Sequence, residues 1–273
     1  MAKQLIWIKR VMIVYSVIGT TNIDCFRKQG LFEKKIPLKN NLISYNDLHS
    51  TKTIKQVMND LDFLSQNILI DSGAFSLQTH KKDLKNINIK HFFQSYARFI
   101  KKYDYEKIQG FFELDIANII GIENMLKCRE YLFEITDKII PVWHKYLGLN
   151  EFKKMCQTYD YISFSCVRNR NVQLKDIPYF VKYAHKHDCK IHGLGQSSRR
   201  VLNIAPFDSV DSLSWFSGAK YGVLKFNGTR KLNSEWLKKN YCVTTSWEYL
   251  NDKKFQDYYF QYWYSYFKKL GRI

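Results

Sequence analysis

No C-x-C or C-x-x-C pair occurs in the sequence; its six cysteines, Cys25, Cys128, Cys156, Cys166, Cys189 and Cys242, stand far apart. Scattered thiols exclude a zinc ribbon and argue against a disulfide framework in 273 residues, so a reducing cytoplasm is the expected setting. No apolar run reaches the roughly 18 residues of a membrane helix, and no lipidation motif is present. The apolar Leu5-Ile-Trp-Ile is cut by Lys9-Arg10 and has no small-residue cleavage site, which does not fit a signal peptide. There are only 4 prolines, no stretch rich in Gly, Ser or Pro, and no internal repeat, so one domain is the simplest organisation. Acidic residues are the other shortage, 25 against 43 basic, for a net charge of +18. That field favours polyanions and carries no information about the fold. Nucleic acid is the expected partner and a membrane is not; a solvated lysine-rich surface is the plain alternative.

What is present is a series of short apolar strands that end in polar residues. In Asn67-Ile-Leu-Ile-Asp-Ser-Gly-Ala-Phe-Ser-Leu77 three aliphatics run without alternation, as in a strand covered on both faces, and then break at Asp71-Ser72-Gly73. For an isolated Asp-Ser-Gly the ordinary reading is an Asx-turn that ends the strand. Further strands are expected at Val11–Val17, Asn41–Tyr45, Gly110–Ile116, Lys138–His144, Asp160–Cys166, Lys190–Gly195 and within 207–215. Between them, helical spacing predicts helices near 51–64, 89–102, 121–135, 151–159, 177–187 and 197–205. On the helix at 89–102, Phe92, Phe93 and Tyr96 share a face that suits a core better than a stacking platform. This alternation predicts a parallel α/β fold, and the length suits a TIM-like (β/α)8 barrel over residues 1–240. Residues 241–273 carry twelve aromatic side chains and end near Lys268-Lys269, which predicts a helical extension packed on the barrel exterior.

The chemistry-bearing residues collect after the strands: Asp71, Asp115, His144, Ser165, the Gly193–Gly195 turn and Asp211. In a β/α barrel those ends converge on one face. Glu113 and Asp115 are two residues apart, so strand alternation predicts that they share a face. A pair of carboxylates there suits displacement at an acetal-like carbon, one attacking a sugar C1′ and the other handling a proton. The same two groups also suit a carbohydrate-active retaining barrel, although that chemistry does not need a charge of +18. A nucleic-acid-binding barrel without catalysis is the reading from another class.

Four segments, in order, resemble the tRNA-guanine transglycosylases and their relatives that insert 7-deazaguanines into DNA. Asp71-Ser-Gly-Ala-Phe-Ser76 resembles the family's Asp-Ser-Gly-Gly-Phe-Gln, and Phe112-Glu-Leu-Asp115 its strand-closing acid. His192-Gly-Leu-Gly195 is similar to its glycine turn, and Val210-Asp-Ser-Leu213 to its nucleophile-bearing Phe-Asp-Cys-Val. The order agrees over about residues 40–225, and the short form is closest to phage-type DNA-modification members. Two family features are missing. Ile140-Pro-Val-Trp-His144 stands where the family has a Gln-Gly-Gly base-recognition strand, and the Cys-x-Cys-x-x-Cys…His zinc site has no counterpart.

The resemblance implies exchange of a guanine in nucleic acid for a 7-deazaguanine base through a covalent glycosyl intermediate, in the cytoplasm of a bacterial or phage-infected cell. DNA is favoured over tRNA because the zinc module is missing. Without clustered cysteines no metal is expected, and no cofactor is expected either. Asp211 would be the nucleophile, with Asp208 as rival. Asp71 would orient or deprotonate the incoming base. Asp115 would accept from the N–H groups of the guanine edge. Ser72, Gly73, His144, Ser165, Gly193 and Gly195, with His192 less directly, would line the pocket, and Lys81, Lys82 and Lys145 would hold the backbone. The target base would be flipped from its stack or taken from a single strand. Oligonucleotide affinity is expected to fall log-linearly with salt, and charge reversal at Lys81 and Lys82 to flatten that slope. Absence of binding at low salt in a filter or anisotropy assay would show that the charge is surface composition alone.

Overall fold

Ile68, Leu69 and Ile70 are wholly buried, as an unalternating aliphatic run requires when a strand is covered on both faces. They form the centre of one of eight parallel strands. The computed structural model describes residues 12–20, 23, 38–49, 54–79, 88–165, 172–196, 198–212, 223–225 and 229–231. Lys81, Lys82 and the aromatic segment 241–273 lie outside these residues. The strands are β1 (Ile13–Ile18), β2 (Leu38–Ser44), β3 (Ser65–Asp71) and β4 (Ile108–Phe112), followed by β5, which consists of Ile139–Ile140 and Val142–Trp143 on either side of Pro141. Then come β6 (Tyr161–Ser165), β7 (Lys190–Leu194) and β8 (Ser209–Ser212). Each pairs in parallel with the next, and β8 pairs with β1, Asp211 opposite Tyr15, so the sheet closes in chain order. A short antiparallel pair, β9 (Val223–Lys225) and β10 (Thr229–Lys231), follows the barrel.

Helices fill the connections. They are α1 (Tyr45–His49), α2 (Ile54–Leu64), α3 (Ala74–Thr79), α4 (Ile89–Tyr103), α5 (Ala117–Ile120), α6 (Ile122–Phe133), α7 (Gly148–Thr158), α8 (Ile177–Lys186) and α9 (Arg199–Leu202). The six helical patterns in the sequence are found, the one at 197–205 only as the four residues Arg199–Leu202. The short helices α1, α3 and α5 are additions, each directly after an expected strand. α4 begins at Asn88, whose side chain accepts from the His91 N–H at 2.9 Å, and it buries Phe92, Tyr96, Phe99 and Ile100. This aromatic face is therefore core. Burying each such side chain contributes about 1.5–3 kcal/mol.

Two apolar clusters lie outside the strands. One joins β2–β4 to α1, α2 and α4, and the other surrounds Trp143, Phe152, Phe164 and Phe180. Inside the barrel, Tyr15, Leu42, Leu69, Phe112, Ile140 and Val142 form a third.

The seam between β4 and β5 corrects one expectation. β4 ends at Phe112, so strand alternation does not extend to Glu113 and Asp115, and the two acids meet different partners. Glu113 is almost wholly buried and receives Arg129 of α6 through Nε at 2.7 Å and Nη2 at 2.9 Å. Its Oε1 also accepts the Val142 N–H at 2.6 Å, immediately after Pro141, which has no N–H to give. One carboxylate thus replaces backbone pairing where the proline interrupts it. Removing one member of a buried pair leaves the other charge unpaired, which costs about 3–5 kcal/mol. Arg129→Leu should lower stability by that amount in urea denaturation, and Glu113→Gln in the same chain should restore part of it.

Candidate functional site

β2 and β3 run in register to their ends, so Ser44 lies opposite Asp71 at the rim of the barrel. The Asp71 carboxylate accepts the Gly73 N–H at 3.2 Å, the Asx-turn contact that its sequence suggests, and also faces the mouth. Burial, then the charges of Asp115 and Asp211, push its carboxyl up to about 7, against the pull of the Gly73 N–H. The three acids, from the ends of β3, β4 and β8, therefore act on one another across the mouth. Asp71 also lies near Tyr96 of α4, whose buried hydroxyl donates to the Phe112 carbonyl at 2.8 Å.

Asp115 and His144 form the second part. His144 is buried beyond the end of β5, and its Nε2 donates to Asp115 Oδ2 at 2.6 Å. The exposed ring of Tyr146 stacks on the imidazole at 5.1 Å with planes 10° apart. The other ring nitrogen, Nδ1, is buried with no hydrogen-bond partner among the described residues. Gln78 of α3 donates through Nε2 to the Asp115 carbonyl at 2.6 Å, tying the turn after β3 to the turn after β4.

Asp211 forms the third part. It is buried on the inner face of β8, where Oδ1 receives the Gly195 N–H at 2.6 Å and His192 Nε2 at 3.0 Å. His192 is fully buried and continues through Nδ1 to Ser209 Oγ at 2.6 Å, which in turn contacts Tyr161 Oη. Phe112 sets its ring at 60° to the imidazole with centroids 5.0 Å apart.

Asp208, the rival to Asp211, belongs to the opposite end of the barrel. It precedes β8, and its Oδ2 accepts the Ile191 N–H and His185 Nε2 of α8, both at 2.8 Å. Its role is to fasten β7 and α8 below the strands. Two glycines expected at a ligand also have other work. A side chain on Gly193 would meet Gln196 Cβ at 3.1 Å, Val210 at 3.2 Å and Phe207 at 3.3 Å, so this residue faces the outer core rather than the mouth. Gly73 has φ +82°, and a Cβ there would lie 2.3 Å from that of Asn46, so the close approach is to α1. Ser72 is buried, and its Oγ accepts from the Ala74 N–H at 3.4 Å. Ser165 is buried at the end of β6, level with Leu194, and Lys145 is exposed just beyond His144. Gly195 does reach the site, through its N–H.

Sequence reasoning missed Ser44, Gln78, Tyr161 and Ser209. Gln78 alone carried a signal, lying seven residues beyond Asp71 on the helix that Gly73 introduces. Among the described residues, no group of three or more His, Cys, Asp or Glu is placed to hold a metal ion. No helix among them is long and apolar enough to cross a membrane, and Cys128, Cys156 and Cys189 are free thiols.

Eight parallel strands closed in chain order, with helices outside and polar residues at the strand ends, define a TIM-type α/β barrel. No family model and no curated protein matches the chain. Among solved structures it is similar to a mandelate racemase/muconate lactonizing enzyme-like protein from Rubrobacter xylanophilus. That match has 9% identity and a TM-score of 0.44, covering 73% of this chain and 52% of that one. Tryptophan synthase from M. tuberculosis matches at 8% identity and TM-score 0.42, over 77% of this chain and 86% of that one. The chain spans about half the length of the first. Neither likeness assigns a role to a residue here.

The raised carboxyl of Asp71 has a consequence for stability. An acid whose pKa rises from 3.8 to about 7 on folding adds no penalty below about pH 4, a growing one between the two values, and the full penalty above 7. Asp71→Asn should therefore stabilise the protein by roughly 2–4 kcal/mol at pH 8 and by almost nothing at pH 4, read from denaturation midpoints. A gain independent of pH would show that the carboxyl titrates normally.

Proposed function

We propose that the barrel mouth is the active site of a base-exchange transglycosylase, which replaces a guanine in nucleic acid, DNA before tRNA, with a 7-deazaguanine. The observation that carries this reading is that three carboxylates converge with different environments. Asp211 is anchored on one oxygen, Asp115 is tied to His144, and the carboxyl of Asp71 is raised to about 7. The resemblance of the four strand-end segments and the charge of +18 support it as well.

In the first half-reaction a carboxylate oxygen of Asp211 bonds to C1′ while the C1′–N9 bond breaks. The electron pair goes to guanine N9, and the protonated Asp71 supplies the proton. In the second half, the Asp71 carboxylate takes the N9 proton of the incoming base. The freed N9 pair bonds to C1′, and the C1′–O pair returns to Asp211. A carboxyl near 7 serves both directions, because each half restores the protonation state that the other needs. Asp115 accepts from the N–H groups of the purine edge through the oxygen that His144 leaves open.

The test is trapping. A guanine-containing oligonucleotide should give a covalent adduct that survives mild denaturation, and Asp211→Asn should abolish it while leaving affinity largely intact. Asp208→Asn, altering a residue beneath the barrel, should retain it. Asp71→Asn should slow exchange by about 10²–10⁴. Should wild-type protein bind oligonucleotide tightly and never form an adduct, the barrel is a binding module and the reaction is withdrawn.

A further inference from the structure

We infer that His192 is the positioning residue of Asp211: a buried chain from Tyr161 through Ser209 fixes the imidazole proton on Nε2, pins Asp211 Oδ1, and leaves Oδ2 as the attacking oxygen. This rests on the transglycosylase reading for the word attacking, but the hydrogen-bond order stands on geometry alone.

Four groups lie in line within the barrel. Tyr161 Oη contacts Ser209 Oγ, Ser209 Oγ lies 2.6 Å from His192 Nδ1, and His192 Nε2 lies 3.0 Å from Asp211 Oδ1. The registers enforce this order, because His192 on β7 pairs with Ser209 on β8 and their side chains share the inner face. A carboxylate oxygen only accepts, so the Nε2 proton must point at Asp211. Nδ1 then accepts the Ser209 hydroxyl proton, and Ser209 Oγ accepts the proton of Tyr161. Every proton has an acceptor in this arrangement. The reverse order, with a proton on Nδ1 as well, turns the Ser209 proton onto Tyr161 and leaves the phenol proton with no acceptor among the described residues. Burial raises the Tyr161 hydroxyl well above its ordinary range, so the phenol keeps its proton and stays the donor end of the chain.

Two donors, His192 and the Gly195 N–H, meet on Oδ1, and no donor among the described residues meets Oδ2. Gly195 reaches Oδ1 from a left-handed backbone, φ +70°, which a side chain would strain. The carboxylate is thus held about its last torsion, with one oxygen spent on anchoring and the other keeping its lone pairs. In the proposed first step Oδ2 forms the bond to C1′ as the C1′–N9 pair departs to guanine. His192 touches no reacting atom. Its effect is to fix which oxygen reacts and where that oxygen lies.

The first measurement needs no substrate. In protein labelled with ¹⁵N at histidine, His192 at pH 7.5 should show a protonated Nε2 and an unprotonated Nδ1, and Ser209→Ala should mix or reverse the two while Ser209→Thr keeps them. A doubly protonated ring, or a proton on Nδ1 in the wild type, overturns the relay whatever the protein catalyses. The second measurement is the adduct rate. Ser209→Ala should lower it by up to about 10²-fold with oligonucleotide affinity largely unchanged, and His192→Gln, which keeps a donor at the Nε2 position, should be faster than His192→Leu. Equal loss in the Gln and Leu variants, or a Ser209→Ala loss that appears wholly in affinity, overturns the positioning role. A wild type that shows the expected tautomer but forms no adduct refutes the proposed reaction and leaves the relay intact.

Discussion

The geometry of the mouth depends on the Glu113 carboxylate. Pro141 interrupts β5 where β4 has already ended, so the barrel must close there without a regular ladder. Glu113 bridges the interruption by taking the Val142 N–H and anchoring to Arg129 on the helix outside. Asp115 follows Glu113 by two residues and His144 follows Val142 by two. The dyad at the mouth is therefore assembled by the same carboxylate that closes the wall. The cost of burying an ion pair is offset here by hydrogen bonds on both partners, the condition under which such a pair is tolerated.

Each third of the mouth is held by a different device. Asp71 is fixed by the turn that follows it, Asp115 by an imidazole and by Gln78, and Asp211 by an imidazole and a backbone N–H. Two of the three carboxylates have a histidine on one oxygen. Asp71 has none, and its affinity for protons is raised. Burial is the largest cause, and the charges of the other two acids add to it. The assignment of roles among chemically identical side chains thus comes from neighbours contributed by other strands.

Those neighbours explain what the sequence could and could not reveal. Strand ends were legible because each apolar run stops abruptly at a polar residue, and barrel closure turns that one-dimensional mark into a common rim. The acids two and three residues apart were not separable. Glu113 and Asp115 look alike until β4 is seen to stop at Phe112. Asp208 and Asp211 differ by less than one helical turn in sequence, but the first precedes a short strand and the second lies near its far end, so they face opposite ends of the barrel. The glycines at 73 and 193 signalled close approach correctly, but a glycine does not name what approaches: Asn46 in one case, Phe207 and Val210 in the other. Ser209 and Tyr161 carried no mark at all, since a hydroxyl in a strand becomes meaningful only when the register sets it beside His192.

Three carboxylates at the mouth of a chain whose net charge is +18 create a local reversal of sign. An anion drawn toward the protein by its overall charge would be repelled by these carboxylates. A neutral heterocycle rich in N–H groups would not be, and it would find acceptors instead. On the proposed reading the opening would sort by sign of charge as well as by size. Carried to a polymer with charged links and uncharged rings, the same reversal would keep the links outside while a ring enters.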